Sequence, residues 1–231
     1  MAIVAGSVVV AVLALWIQNA IVPYSKPFWG LFDNQLDLDV YRAGAQTVLD
    51  GDKLYDAKLL GQMDYTYTPF SIFGFIPFAW MSMTVARVVW IGGILVALYF
   101  TIMISFRSLG RSPTLALRAV AVALVTVMML LEPVRTTIWY GQINVFLMAI
   151  VLADLLRPDG ARLRGVATGL TAGIKLTPML FAVYLLVIRN TRAAVGVVAG
   201  FVGSVLLGFA ILPSTSWDYW TSKLRDPDRV G

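Results

Sequence analysis

Long apolar runs, broken by short clusters of charge, organise this chain. No charged residue precedes Lys26, and the run over residues 4–22 predicts a first membrane-spanning helix. About 20 apolar residues at 1.5 Å each cross a hydrocarbon core roughly 30 Å thick. A cleaved signal peptide would carry a basic start and a small-residue cleavage site; neither is evident, so the segment is expected to remain. A polar stretch follows from Pro23 to Pro69, and then "FSIFGFIPFAWMSM" leads into a cleaner apolar run near Thr84. As one helix, residues 70–106 would reach about 55 Å, too far for one crossing. The expectation is an interfacial helix ending near residue 80 and a span over 84–106.

Further spans are expected over 115–131, 138–156 and 193–212. Between the last two, residues 165–188 carry basic residues at both ends and Pro178 inside. Cytoplasmic loops collect Lys and Arg, so both ends belong on that side. Pro178, which cannot donate an intrahelical bond, marks a turn within the membrane. This makes two short segments, 165–175 and 178–188, and seven in all within one membrane domain, residues 1–231. The clusters Arg107/Arg111/Arg118, Arg157/Arg162/Arg164 and Arg189/Arg192 fall on one side. The loop 23–69 and the tail 213–231 then face outward.

Composition agrees with an all-α polytopic bundle in the cell membrane. The chain is 59% hydrophobic and 13% charged, against roughly 45–50% and about 25% in soluble domains. It contains no cysteine and no histidine, which removes disulfides, thiolates and imidazole bases. Proton transfer must fall to Asp, Glu, Lys or Tyr. The net charge of +5 is scattered between apolar runs without a basic-aromatic patch, so nucleic acid is not an expected partner.

Candidate chemistry gathers in the first outer loop, which holds seven of the thirteen acidic residues. Leu36, Val40, Ala43 and Thr47 recur at helical spacing up to Gly51, predicting a helix with one face on the membrane roof. Asp33, Asn34 or Asp37 is its candidate N-cap. The helix dipole favours an ionised carboxylate there, so capping and action as a base are compatible. The pair Asp37 and Asp39 also invites a metal reading. Two acids spaced i, i+2 diverge by about 200° around a helix, however, and Asp39 is better placed to pair with Arg42. No metal is assigned.

Lys175 lies about 15 Å into the first short segment. An intramembrane cation is a candidate phosphate ligand, or else a snorkelling lysine. Arg135 and Arg87 near the outer interface are alternative phosphate partners. Glu132, Tyr140, Gln142 and Asn144 cluster around one outer turn and, with Tyr65 and Tyr67, can bind sugar hydroxyls; Gln142 and Asn144 can equally satisfy packed helices. Trp217, Tyr219 and Trp220 read as an interfacial belt or as a sugar-stacking group. Gly165, Gly169 and Gly173 repeat every fourth residue, a mark of close helix contact.

The succession "DLDVYRAGAQTVLDGDKLYD", "YTYTPF", "GQINVFLMAIVLADLL", "GLTAGIKLTPMLFAVYLL" and "SWDYWTSKLRDPDRVG" resembles the polyprenol-phosphate-mannose-dependent α-1,2-mannosyltransferases of actinobacteria, members of the GT-C glycosyltransferase superfamily. The resemblance runs from the first expected span to the last residue. It implies a GT-C-like seven-helix module; no cofactor is expected. It also implies inverting transfer of mannose from a β-linked polyprenol-phosphate-mannose donor to a lipid-linked mannoside acceptor on the outer face, among membrane lipids. A base on the first outer loop is implied too: the "DL-x-VY" pattern matches Asp37, with Asp39 second. No general acid is required, because a phosphate leaves already charged. The family's proteins are longer, and their variable C-terminal helices are expected to lie beyond "DRVG". An arabinofuranosyl donor would need the same base and phosphate contacts. A transporter or lipid flippase also uses broken helices and a buried cation, but no internal repeat is found, and the acidic loop favours surface chemistry.

Overall fold

A computed structural model describes residues 1–226; the end of the expected tail, residues 227–231, lies outside the described residues. Among the described residues the fold is all-helical: α1 Ala2–Ile21, α2 Leu36–Leu49, α3 Ile72–Ala79, α4 Met83–Ser108, α5 Leu115–Met128, α6 Glu132–Tyr140, α7 Asn144–Leu155, α8 Val166–Ile174, α9 Leu180–Val187, α10 Thr191–Ile211 and α11 Pro213–Thr221. α1, α4 and α10 are long and apolar enough to cross a membrane, and α5 with α6, bent by 79°, makes a fourth if the pair is one span. Residues 138–156 comprise the end of α6, a left-handed turn at Gly141 and α7. The chain divides into two compact units, Met1–Leu38 with Thr84–Leu156, and Asp39–Met83 with the described part of Arg157–Gly231.

In the first unit α1 packs along α5. Most of α1 stays exposed, with Val9, Leu13 and Trp16 outward, as suits a helix whose surroundings are as apolar as itself. Its end is tied down locally: the Tyr24 hydroxyl donates to Leu15 O at 2.6 Å, and the Tyr24 ring stacks on Phe32 at 5.4 Å. Asp33 closes the following loop by accepting from the Lys26 amide at 2.7 Å. Asn34, not Asp33, serves the start of α2, its Oδ1 accepting from the Leu36 amide at 3.0 Å.

The second unit is built on α8 against α10. Gly165, Gly169 and Gly173 of the α8 region face Ala193, Val197 and Ser204 of α10. A Cβ at Gly169 would run into the Val197 carbonyl and lie 2.7 Å from the Phe201 nitrogen, so only glycine lets the two backbones approach this closely. The four-residue glycine repeat is therefore a packing stripe.

Helix α2 buries Leu38, Val40, Tyr41 and Ala45, so of the expected 36/40/43/47 set Val40 is buried while Leu36, Ala43 and Thr47 are only half-buried, and the face is rotated toward Tyr41. Tyr41 decides the rotation: its ring stacks on Phe75 at 4.3 Å, and a buried aromatic removes more area from water than the aliphatic residues of the other face. Gly44 leaves room for Tyr65, whose ring would be 2.6 Å from an added Cβ. On the flank, Arg42 donates to the carbonyls of Phe78 (2.9 Å) and Met81 (2.6 Å), capping the end of α3, and lies 3.6 Å from Asp39, as its spacing suggested.

Candidate functional site

Two cavities collect several of the residues singled out from the sequence. The larger, about 420 Å³, belongs to the second unit and forms where α8 stops. Helix geometry ends at Ile174, and Lys175 takes an extended conformation (φ −136°, ψ 129°) before a short turn at Thr177–Met179 leads into α9. The break thus begins three residues ahead of Pro178, whose ring in a continued helix would clash with the carbonyl of Ile174, four residues earlier, and which has no N–H to donate to it. The Thr68 hydroxyl donates to the Gly173 carbonyl, joining the "YTYTPF" segment to the last turn of α8.

That junction sets Lys175 beside Tyr67, with Nζ 5.6 Å from the ring centroid, within reach of a cation–π interaction. The Tyr67 hydroxyl is 2.7 Å from the Tyr41 hydroxyl, and Tyr55 donates to the Tyr67 carbonyl at 2.7 Å. Tyr65 is fully buried, its hydroxyl 2.5 Å from Ser71 Oγ. Burial pushes its phenol far above the ordinary range, so it remains neutral. Tyr219 packs on Tyr55 at 5.3 Å, and Lys223 reaches Asp56 with an N–O distance of 2.8 Å. Lys175 and Lys223 line the cavity together with Tyr55, Tyr65, Tyr67 and Tyr219. Such a chamber suits an amphipathic anion: ring faces for a sugar or methylene surface, phenols for hydroxyls, ammonium groups for a phosphate.

The second cavity, about 370 Å³ in the first unit, brings Glu132, Gln142 and Asn144 together. Thr136 donates to Glu132 Oε1 at 2.9 Å, and Asn144 Nδ2 donates to Gln142 Oε1 at 2.9 Å. Arg135, on the same helix, turns to the Leu130 carbonyl at 3.3 Å and is not among the lining residues. Arg87 keeps a buried Nε without a hydrogen-bond partner. Tyr140 lies against Trp139, ring centroids 4.6 Å apart.

Asp37 occupies the first turn of α2 and is half-buried; Asp39, also half-buried, faces Arg42. Among the described residues no group of three or more Asp or Glu is arranged to hold a metal ion.

Sequence reading missed Tyr55, Lys223 and the inward turn of Tyr219. Of the terminal aromatics only Trp217 is largely exposed, while Tyr219 is buried. A lone lysine six residues beyond Trp217 was the available signal, but only folding shows that it returns to the loop carrying Asp56.

The helices and these cavities define a polytopic helical membrane protein with a polar, aromatic-walled site. The chain belongs to glycosyltransferase family 87, whose profile matches residues 65–230. It is 35% identical over 224 residues, 88% of this chain and 52% of the relative, to a polyprenol-phosphate-mannose-dependent alpha-(1-2)-phosphatidylinositol mannoside mannosyltransferase of Mycobacterium tuberculosis. The protein of the same name from Mycolicibacterium smegmatis is 36% identical over 213 residues, 85% of this chain and 48% of the relative. A polyprenol-phosphate-mannose-dependent alpha-(1-2)-phosphatidylinositol pentamannoside mannosyltransferase of Mycolicibacterium smegmatis is 33% identical over 230 residues, 96% of this chain and 53% of the relative. The chain thus spans about half the length of these curated relatives. No solved structure matches it.

Proposed function

We propose that this chain carries the donor-binding and base-bearing part of a membrane mannosyltransferase, which moves mannose from polyprenol-phosphate-mannose to a phosphatidylinositol mannoside or a related lipid-linked mannoside. The observation that carries this reading is the chamber in which Lys175 and Lys223 line the walls beside a cluster of tyrosines. Family membership and the names of the relatives support it.

In this reading the acceptor hydroxyl oxygen attacks the anomeric carbon as the bond from that carbon to the phosphate oxygen breaks. The Asp37 carboxylate takes the hydroxyl proton, and the polyprenol phosphate departs with the bonding electrons. Attack from the face opposite the phosphate converts a β-linked donor into an α-linked product. A positioned carboxylate contributes about 10²- to 10⁴-fold as a base. Lys175 holds the phosphate and Tyr67 lies along the sugar; Arg135 is the alternative phosphate partner. Glu132, Gln142 and Asn144 take hydroxyls of a mannoside. Asp39 is the second candidate base. In the same reading the loop 23–69 faces away from the cytoplasm, as the distribution of Lys and Arg suggests, and the chemistry takes place on the outer leaflet.

The test supplies radiolabelled polyprenol-phosphate-mannose to membranes holding the full-length protein or its Asp37→Asn variant. Loss of transfer with retained donor binding is expected. Undiminished transfer would remove Asp37 from the role of base. Loss of activity on chelation, restored by a divalent ion, would move the chemistry to a metal site at Asp37 and Asp39.

A further inference from the structure

The residue that introduces α2 is held in an unusual way. Gln35 is fully buried and adopts a left-handed conformation, φ 56°, which is costly for a residue with a Cβ. Its amide donates to the Trp139 carbonyl at 2.8 Å and its Nε2 to the Ile138 carbonyl at 2.5 Å. Both acceptors lie in the last turn of α6, whose carbonyls lack the regular intrahelical partner; the Ile138 carbonyl also accepts from the Gly141 amide at 3.2 Å. The next break in α6 is Gly141 at φ 71°; a Cβ there would sit 2.7 Å from Gln35 Oε1 and 3.0 Å from Leu38 Cβ. Gln35 therefore caps one helix while it launches another, and Gly141 supplies the space. All of these groups belong to the first unit.

The consequence falls on Asp37. It stands two residues after Gln35, and its direction depends on where the first turn of α2 points. Asn34 adds a local brace through the Leu36 amide, but this bond is internal to the turn and does not orient it against another element. Two bonds do so, both onto α6: the Gln35 backbone amide to the Trp139 carbonyl, which any residue could make, and the side-chain amide to the Ile138 carbonyl, which needs the glutamine.

We propose that Gln35 is a positioning residue for the transfer reaction: its amide clip onto the end of α6 aims the carboxylate of Asp37. This rests on the reading of Asp37 as base. A base displaced by about 1 Å can lose on the order of 10²-fold in rate without any change in substrate contacts.

Three variants of the full-length protein in native membranes test the inference: Gln35→Met, which keeps the length and loses the donor, Gln35→Glu and Asp37→Asn. Gln35→Met is expected to lower kcat by about ten- to a hundredfold with the donor KM within about twofold. Gln35→Glu restores a donor only when the introduced carboxyl is protonated, which burial favours. Its kcat relative to the parent should rise as pH falls, opposite to the effect of protonating Asp37 itself. A purely structural role would instead lower the amount of folded protein and leave kcat per folded molecule and its pH profile unchanged. That result for Gln35→Met, with Asp37→Asn inactive, overturns the positioning role and leaves the base standing. If Gln35→Met fails to accumulate, Gln35→Glu decides by the sign of its pH dependence. Full activity of Asp37→Asn overturns both.

Discussion

The ammonium of Lys223 lies 2.8 Å from the carboxylate of Asp56, 167 residues apart in sequence. The bond closes one wall of the tyrosine-lined chamber. Asp56 is about half exposed, 52% by side-chain area, so the pair adds no more than about 1 kcal/mol to stability. Asp56→Asn should therefore leave thermal unfolding in detergent nearly unchanged. Lys223→Met removes a cation from the chamber and is expected to raise the donor KM about tenfold, a difference that steady-state assays of the two variants would measure.

Lys175 offers the sharper contrast. Charge-assisted hydrogen bonds contribute about 1.5–3 kcal/mol, so Lys175→Met should weaken donor binding by about ten- to a hundredfold. Lys175→Arg keeps the charge and should recover part of the loss. Binding of a polyprenyl phosphate lacking the sugar, followed by tryptophan fluorescence, separates phosphate recognition from catalysis. Equal affinity in all three proteins would exclude Lys175 as a phosphate ligand.

Gly169→Ala tests the glycine stripe. The added methyl meets backbone on two sides, the Val197 carbonyl and the Phe201 nitrogen. Backbone cannot yield as a side chain does, so a loss of about 1–3 kcal/mol is expected. Gly203→Ala is the control, because nothing lies within 4 Å of its added carbon. That variant should match the parent or gain about 0.4–1 kcal/mol through the unfolded chain. Thermal unfolding of both in one detergent gives the comparison.

Tyr65 should make the fold sensitive to alkali. Its folded-state pKa is raised above the ordinary value of 10.0 by burial. Above about pH 10 the unfolded chain ionises this phenol and the folded chain does not, so unfolding becomes more favourable as pH rises. Tyr65→Phe removes that contribution. Its stability relative to the parent should improve progressively above pH 10 and show no such drift between about pH 6 and 8, where both states are protonated. Unfolding midpoints across that range would check the sign.

Much of the molecule was legible in its amino-acid order. Apolar run length alone marks α1, α4 and α10, because a helix that faces hydrocarbon must be apolar throughout. The glycine spacing of α8 foretold backbone contact with a neighbour, since residues four apart share a helix face. The motif that carries Lys175 announced the break in its helix through Pro178. Local spacing likewise put Asp39 within reach of Arg42.

Other features depend on contacts that no local pattern encodes. Which face of α2 is buried was settled by Tyr41 and Gly44 meeting Phe75 and Tyr65, and aromatic packing of this kind overrides an aliphatic period. Tyr219 reads as a belt residue until Tyr55 is seen beside it. Lys223 and Asp56, like Gln35 and the end of α6, are distant in sequence and adjacent only after folding. Sequence determined which long segments are helical and apolar and which residue types could act, because those follow from the solvent and from neighbours within one turn, whereas the break at Gly141 inside the expected 138–156 span and the short helix α11 did not show in it. Tertiary structure alone decided which polar groups share a chamber, because hydrogen bonds and ring contacts are won by whichever groups long-range packing brings within a few ångströms.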